Sequence, residues 1–282
     1  MLVACCQIAP VVGEPERNRE RAAAALEAAA GRGADLVVLP ELCSSGYVFA
    51  SAEEARSLAE AVDGPTVAGW AELSARLGVV VIGGFCELGP DGRLHNSAAL
   101  IEDGEVRTVY RKAHLWDRES LVFAPGDEPP PVLDTRAGRI GVVVCYDLEF
   151  PEWIRLPALD GAQLLAAPAN WPAGALEASA AGAESGEVLR ARANACVNRI
   201  FVAVCDRHGP ERGVDWVGGS LVCDPDGALL AGPPADRAEA LLLADCDLAA
   251  ADDKRVSERN DVLADRRPEL YGRVAKAAEL RG

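Results

Sequence analysis

Short apolar runs that alternate with alanine-rich, charged segments are the feature that most constrains the fold of this chain. Eight runs have the length of a β-strand and turn-like flanks, at residues 2–8, 35–39, 79–85, 97–101, 140–144, 164–167, 200–205 and 220–223. Between several of them lie segments with apolar positions at helical spacing, at residues 15–30, 65–77, 150–160 and 185–198. Strands and helices that alternate in this way predict an α/β fold.

Length and charge narrow the class of protein. The 282 residues contain no linker or low-complexity tract, which predicts one compact domain over residues 1–282. The formal net charge is −16 at pH 7, with no basic cluster to offset it, so binding to nucleic acid or to an anionic membrane is opposed. No apolar run approaches the roughly 20 residues that cross a bilayer, and the first residues lack a secretory signal pattern. We expect a soluble, cytoplasmic protein with a small-molecule partner.

The chain has nine cysteines, an odd number that argues against a disulfide framework in a chain of this size. Their spacing is not that of a zinc site, so no metal is expected. Cys43 is interpreted as structural. Seven others lie mostly in apolar or β-like runs and are expected in the core, where cysteine behaves as a small hydrophobe: Cys5, Cys6, Cys86, Cys196, Cys205, Cys223 and Cys246.

Cys145 has a different setting. It directly follows the apolar run 141–144, where an α/β protein presents a nucleophile, and two other runs end in Glu41 and Lys112. A thiol attacks as a thiolate, so a catalytic cysteine needs a base or a cation beside it. The three residues together indicate thiol-based hydrolysis of a carbon–nitrogen bond. His114 is the only histidine near these motifs and leaves a Cys/His arrangement as an alternative.

Three motifs, in this order, resemble those of the nitrilase, or carbon–nitrogen hydrolase, superfamily. They are Leu39-Pro40-Glu41, the segment 110–115 around Lys112, and the segment 144–152 around Cys145. Similarity continues at residues 123–127, 170–172, 192–198, 218–220, 259–261 and 265–268, so the resemblance covers nearly the whole chain. It implies a four-layer α-β-β-α sandwich of two mixed sheets, no metal or organic cofactor, and assembly into a homodimer or a higher homo-oligomer.

The resemblance also implies roles for individual residues. Glu41 would take the proton of Cys145, and Lys112 with the backbone N–H of Tyr146 would stabilise the oxyanion. Glu119 occupies the position of a second family glutamate, before the Pro-Gly-Asp block, and would hold Lys112 and orient substrate or water. The residues expected to line the substrate pocket are Tyr47, Trp116, Tyr146, Asn170 and Trp171.

The same catalytic residues serve several reactions in this superfamily, so the substrate stays open. Tyr146-Asp147 follows the nucleophile, where nitrile-cleaving members typically have Trp-Glu. A small linear amide is therefore the first expectation, an N-carbamoyl amine the second and a nitrile the third. Relatives that bind a substrate carboxylate often carry a basic residue at the position of Glu149, so this acidic residue favours a neutral or amine-bearing substrate.

Three further interpretations remain. A catalytically silent scaffold with the same fold is a non-enzymatic alternative, which the intact set of catalytic residues disfavours. Glu149 and Glu152 are interpreted as carboxylates at a helix N-terminus, facing the positive end of its dipole. Residues 172–186 are rich in alanine, glycine and serine and predict a mobile loop beside the site, which is a candidate lid.

Overall fold

The computed structural model describes residues 1–174 and 184–274, so most of the predicted lid loop lies outside the described residues. The strands are β1 (Leu2–Gln7), β2 (Leu36–Val38), β3 (Val80–Leu88), β4 (Leu94–Glu102), β5 (Glu105–Arg111), β6 (Val132–Thr135), β7 (Gly138–Val142), β8 (Leu164–Pro168), β9 (Phe201–Cys205), β10 (Leu221–Cys223), β11 (Leu229–Ala231), β12 (Ala240–Asp245), β13 (Arg255–Ser257) and β14 (Asn260–Asp261). The α-helices are α1 (Pro15–Gly31), α2 (Ala52–Leu58), α3 (Pro65–Leu77), α4 (Pro151–Leu159) and α5 (Gly186–Asn198).

Two six-stranded mixed sheets form the centre of the molecule. The first has the order β12-β1-β2-β3-β4-β5 and the second the order β11-β10-β9-β8-β7-β6. Each sheet has three neighbouring parallel strands, β1 to β3 in the first and β7 to β9 in the second. Antiparallel strands complete both edges of each sheet. The carboxyl ends of the parallel strands in a sheet meet at one edge, which is where ligands bind in such sheets.

The layers follow from the two-residue period of the strands. Val3 and Cys5 of β1 belong to the same core cluster as Val202 and Val204 of β9, and these side chains lie between the sheets. The alternate residues, Ala4 and Cys6, pack in a second cluster with the helices α1 and α3, through side chains such as Leu26 and Trp70. On the other side, α4 and α5 pack on the second sheet through Ile154, Ala158, Val188, Ala191 and Ala195. The order of layers is helix, sheet, sheet, helix.

The elements differ from the predicted ones in a few places. The sequence pattern missed α2 and the strands β6, β11, β12, β13 and β14. Of these, β12 pairs with β1 from the far end of the chain. Cys196 is exposed, so its expected core position is wrong; on α5 the neighbouring Ala195 takes the buried position. All nine cysteines are free thiols. Among the described residues, no helix has both the length and the apolar character to cross a membrane.

Candidate active site

The chemistry-bearing residues follow strands whose ends meet where the two sheets face each other. Glu41 comes shortly after β2 and Lys112 directly after β5, both from the first sheet. Cys145 comes shortly after β7 and Asn170 after β8, both from the second sheet. The site is therefore assembled from both halves of the sandwich.

Lys112 is the centre of a buried charge cluster. Its Nζ donates to Glu41 Oε1 at 2.7 Å and to Glu119 Oε1 at 2.9 Å, and its side chain is fully buried. Burial by itself lowers the pKa of Lys112, but the carboxylates of Glu119 and Glu41 outweigh it and hold the pKa well above its usual value. An ammonium group has three N–H donors, and the two carboxylates use two of them. The third is left for another acceptor.

Asn96 is a site residue that the sequence analysis missed. It lies on β4, and its Nδ2 donates to Glu41 Oε1 at 2.7 Å and to Glu119 Oε1 at 3.1 Å. Lys112 and Asn96 thus hold the same two carboxylate oxygens. The only signal in the sequence was the polar triplet 95–97 at the start of an otherwise apolar run, and all three of its side chains are buried.

Glu41 has one oxygen available for proton transfer. Its Oε2 is buried and has no hydrogen-bond partner among the described residues, while Oε1 accepts from both Lys112 and Asn96. Burial raises the pKa of Glu41 to about 7, against the lowering effect of Lys112. A carboxyl with this pKa can both take and return a proton near neutral pH.

Cys145 is held in an unusual backbone conformation. Its φ is +47°, in the left-handed region, and it begins a short 3-10 helix over Cys145–Glu149. Such a conformation costs a non-glycine residue on the order of 1–3 kcal/mol, and such residues cluster at functional sites. The Sγ lies 3.8 Å from the carbonyl oxygen of Asn170. Burial, followed by the charge of Glu41, raises the pKa of the Cys145 thiol well above its usual value, so the resting group is a thiol.

His114 does not serve Cys145 as a base. Its Nδ1 lies 2.7 Å from Oδ1 of Asp147, and its ring stacks on Phe150 with centroids 3.8 Å apart. No hydrogen bond joins His114 to Cys145 among the described residues, so the Cys/His arrangement left open by the sequence is not formed.

Two cavities adjoin the cluster and share Trp116 and Pro172 as walls. The larger, of about 320 Å³, borders Glu119 and is mostly aromatic and apolar, with Tyr47, Phe49, Phe123 and Trp216 in its wall. The smaller, of about 30 Å³, opens on Cys145 and is lined by Tyr146, Asn170 and Trp171. Each residue expected to line the substrate pocket thus borders one of the two cavities.

The position of Tyr47 in its cavity is fixed through its backbone by a buried ion pair. The backbone N–H groups of Tyr47 and Val48 donate to Glu211 Oε2 at 2.9 and 2.8 Å, and Glu211 pairs with the buried Arg207 at 2.9 Å. The Arg207 guanidinium lies 4.8 Å from the ring centre of Trp216, whose ring meets that of Tyr47 edge to face at 5.3 Å. Burial, then the carboxylates of Glu119 and Glu41, holds the pKa of Tyr47 well above its usual value.

Asn170 and Trp171 are fixed through their own polar contacts. Asn170 Nδ2 donates to the backbone oxygen of Glu41 at 2.8 Å, which links the two sheets at the site. The backbone N–H of Trp171 donates to the buried Asp206 at 2.9 Å. Asp206 also accepts the N–H groups of Arg207 and Gly219, and burial raises its pKa to about 7.

Glu149 is paired rather than free. Arg190 Nε donates to its Oε1 at 2.5 Å, and Glu187 lies 3.4 Å from the same guanidinium. Two carboxylates and one guanidinium therefore border the smaller cavity. Burial raises the pKa of Glu149 against the lowering effect of Arg190. Glu149 ends the 3-10 helix before α4, whereas Glu152 does lie in the first turn of α4 as expected.

Comparison with known proteins identifies the family of this chain. A family profile described as carbon-nitrogen hydrolase matches residues 2–255. A protein named nitrilase from Pyrococcus abyssi is 34% identical, over 96% of this chain and 99% of its own length. A 2-oxoglutaramate amidase from Bacillus subtilis is 31% identical over 95% of this chain and 98% of its own length.

Solved structures agree in fold. An amidase from Nesterenkonia sp. is 30% identical, with a TM-score of 0.77 over 97% of this chain and 96% of that chain. A glutamate-to-glutamine variant of the amidase from Nesterenkonia sp. AN1 shows the result of Michael addition of acrylamide at the active site cysteine. The chain belongs to the carbon–nitrogen hydrolase family. Within the nitrilase superfamily it lies on the amidase branch, and the expected α-β-β-α sandwich is confirmed.

Proposed function

We propose that this carbon–nitrogen hydrolase cleaves a small, neutral, linear amide through a thioester on Cys145. The carrying observation is the buried Lys112 Nζ, held at 2.7 Å from Glu41 and 2.9 Å from Glu119 with one N–H left over. It supplies a fixed positive charge where an oxyanion develops, and such stabilisation is usually the largest single contribution in acyl transfer.

In the first half of the reaction, Glu41 Oε2 accepts the proton of the Cys145 thiol while Sγ attacks the amide carbon. The new C–S bond forms as the carbonyl electron pair moves to oxygen. Lys112 and the backbone N–H of Tyr146 receive this oxyanion; N–H groups at the start of a helix have no partner within it. The C–N bond then breaks, and the nitrogen leaves as ammonia or an amine with the proton held by Glu41.

In the second half, Glu41 takes a proton from water, and the resulting hydroxide attacks the thioester carbon. The C–S bond breaks, the sulfur recovers its proton through Glu41, and a carboxylic acid leaves. Glu119 keeps Lys112 in place through both halves, since its Oε1 accepts from Nζ and its Oε2 from the backbone N–H of Trp116 at 2.7 Å.

The preference for a neutral substrate is supported by the charges around the smaller cavity. Glu149 accepts from Arg190 Nε at 2.5 Å, and Glu187 adds a second negative charge 3.4 Å from Nη2 of the same guanidinium. A substrate carboxylate entering here would meet a net negative border. The acrylamide adduct of the Nesterenkonia amidase, a neutral amide bound at an active site cysteine, points the same way. An N-carbamoyl amine is the second candidate and a nitrile the third.

The test is an ammonia-release screen over neutral linear amides, ω-amides that carry a carboxylate, N-carbamoyl amines and nitriles. We expect the highest kcat/KM with a neutral amide. Cys145→Ala should fold and assemble normally and release no ammonia. Turnover of any of these substrates by Cys145→Ala at close to the wild-type rate would reject the mechanism, and a preference for the ω-amides would reject the proposed substrate class.

We further propose that the protein is a cytoplasmic homodimer. Nine free thiols suit a reducing compartment. Exposed apolar side chains on α4, on α5 and near residue 270 suit pairing of two copies through the outer helices: Leu159, Leu189, Val197, Leu270 and Tyr271. Light scattering coupled to size exclusion should give twice the 29.6 kDa chain mass. A monomer at micromolar concentration would contradict the dimer.

A further inference from the structure

Asp147, two residues after the nucleophile, is a fully buried carboxylate with four hydrogen-bond donors on it. Its Oδ2 accepts from Tyr110 Oη at 2.7 Å and from the backbone N–H of Val144 at 3.1 Å. Its Oδ1 accepts from the backbone N–H of His114 at 3.1 Å and lies 2.7 Å from His114 Nδ1. None of these donors belongs to the proposed catalytic set, so the reaction itself leaves this carboxylate unexplained.

The donors come from both sides of the catalytic cluster. Tyr110 precedes Lys112 by two residues and His114 follows it by two, so Asp147 holds the Lys112 segment at both ends. Val144 directly precedes Cys145, whose φ of +47° must be maintained by its surroundings. Trp153 Nε1 also donates to Tyr110 Oη at 3.0 Å, and Phe150 covers the His114 ring. One carboxylate thus ties the cation-bearing segment of the first sheet to the nucleophile turn of the second.

We propose that Asp147 is a positioning residue that fixes the Lys112 ammonium relative to the Cys145 thiol, and thereby sets the place of the oxyanion. The proposal rests on the proposed function in one respect, the role of Lys112 as an oxyanion donor. Preorganised donors are effective because they need no reorganisation as charge develops, and a displacement of about 1 Å can cost about 100-fold in rate.

The variant that tests this role is Asp147→Asn, which keeps the shape but replaces one acceptor oxygen with an N–H donor that faces existing donors. We expect kcat for a neutral amide to fall about 100-fold, while KM changes by less than about threefold. A second readout is alkylation of Cys145 by iodoacetamide, in which Sγ loses its proton to the base and displaces iodide from carbon, so that no oxyanion forms. Its rate should stay within about threefold of the wild type. In this measurement the reference enzyme and the Asp147→Asn variant both carry Cys196→Ser, because Cys196 is exposed and would also react.

A third readout needs no amide turnover. A small aldehyde adds to the thiol as a thiohemiacetal. The C–S bond forms as the carbonyl π pair moves to oxygen, which takes up the thiol proton and lies where the oxyanion would lie. The adduct thereby protects Cys145 from iodoacetamide. Asp147→Asn should weaken this protection by about tenfold or more. If the wild-type protein hydrolysed no amide, the proposed function would fail, yet the aldehyde measurement would still decide the role of Asp147.

Glu87→Gln is the matched control. Glu87 is also a buried carboxylate, and it accepts from Arg111, next to Lys112, at 2.6 and 2.9 Å, but it has no bond to the nucleophile turn. Glu87→Gln should lower the free energy of unfolding, but it should change the rates of amide turnover and of alkylation by similar factors. Tyr110→Phe removes one of the four donors to Asp147. It should lower amide turnover more than alkylation, as Asp147→Asn does, but by a smaller factor. It serves as the test if Asp147→Asn does not fold. Parallel loss of turnover, alkylation and aldehyde protection, or loss of none, would overturn the positioning role.

Discussion

Glu41 is the residue whose titration sets the working pH of the site. The base must be ionised to accept the thiol proton, and burial raises the pKa of Glu41 to about 7. We therefore expect kcat/KM for a neutral amide to rise about tenfold per pH unit below about pH 7 and to level off above it. An ordinary glutamate would place this limb near its usual pKa of 4.5. A profile that stays flat down to about pH 5 would contradict the assignment of Glu41 as base.

A second buried carboxyl must be separated from this effect. The pKa of Asp206 is also raised to about 7 by burial, and this residue holds the Trp171 backbone. The acid limb should persist in Asp206→Asn if Glu41 is its source. If the acid limb is lost in Asp206→Asn, Asp206 rather than Glu41 is its source.

Asn96 offers a second prediction at this scale. Asn96→Asp replaces the amide that donates to Glu41 and Glu119 with a third carboxyl beside a single ammonium. Like charges disfavour ionisation, so the acid limb should move to higher pH than in the wild type. The same pH profile measures the shift, with Asn96→Ala as the uncharged control. A limb that stays at the wild-type pH would show that Asn96 does not act on Glu41, and a limb that moves to lower pH would contradict the predicted repulsion.

How far the sequence predicts the site differs between these residues. Cys145, Glu41 and Lys112 each end an apolar run, and strand ends gather at one edge of a sheet, so a local pattern was enough to nominate them. Asn96 lies within a strand, and its role depends on the pairing of β4 with its neighbours. That register is set by contacts between distant parts of the chain, which no local pattern reports.

At the scale of elements, the close approach of β3 to the Glu41 turn is decisive. A Cβ on Gly84 would lie 2.5 Å from Glu41 Cα and 2.7 Å from the Pro40 oxygen. Gly84→Ala should therefore displace the Glu41 backbone, with a stability loss of about 1–3 kcal/mol and a fall in kcat of about tenfold or more. Thermal unfolding and steady-state kinetics measure the two effects.

The neighbouring glycine provides the control. A Cβ on Gly83 points to the other face of β3 and would lie 2.6 Å from the Trp70 ring, far from the catalytic cluster. Gly83→Ala should cost a similar free energy of unfolding but leave kcat of the folded enzyme near the wild type. Equal loss of kcat in both variants would show that the effect is general to the strand.

The elements themselves were largely predictable, because their strands are buried on both faces and read as continuous apolar runs. The strands that were missed, β6 and β11 to β14, are short or partly exposed, and β12 is the instructive case. β12 is partly exposed at the edge of the first sheet and pairs Asp245 with Leu2, so its partner lies at the opposite end of the chain. A short edge strand with a distant partner has no local signature that separates it from a loop.

At the scale of the whole molecule, the net charge of −16 acts on every substrate that approaches. An anionic amide should be repelled at low salt, and a Debye length of about 8–10 Å near physiological ionic strength screens this repulsion. We expect kcat/KM for a carboxylate-bearing amide to rise as salt is increased from about 10 to 200 mM, and that for a neutral amide to stay nearly constant. A fall for the anionic substrate would reveal a locally positive approach to the site.

The division of the site between two sheets has a practical consequence. Glu41, Lys112 and Glu119 precede the proline-rich connection at residues 129–131, and Cys145 and Asn170 follow it. A chain cut there would leave the base and cation on one fragment and the nucleophile on the other, and β12 of the second fragment completes the first sheet. Neither piece alone could turn over substrate. Fused to two proteins that associate, the fragments would form a complementation reporter whose ammonia signal appears only when the partners meet.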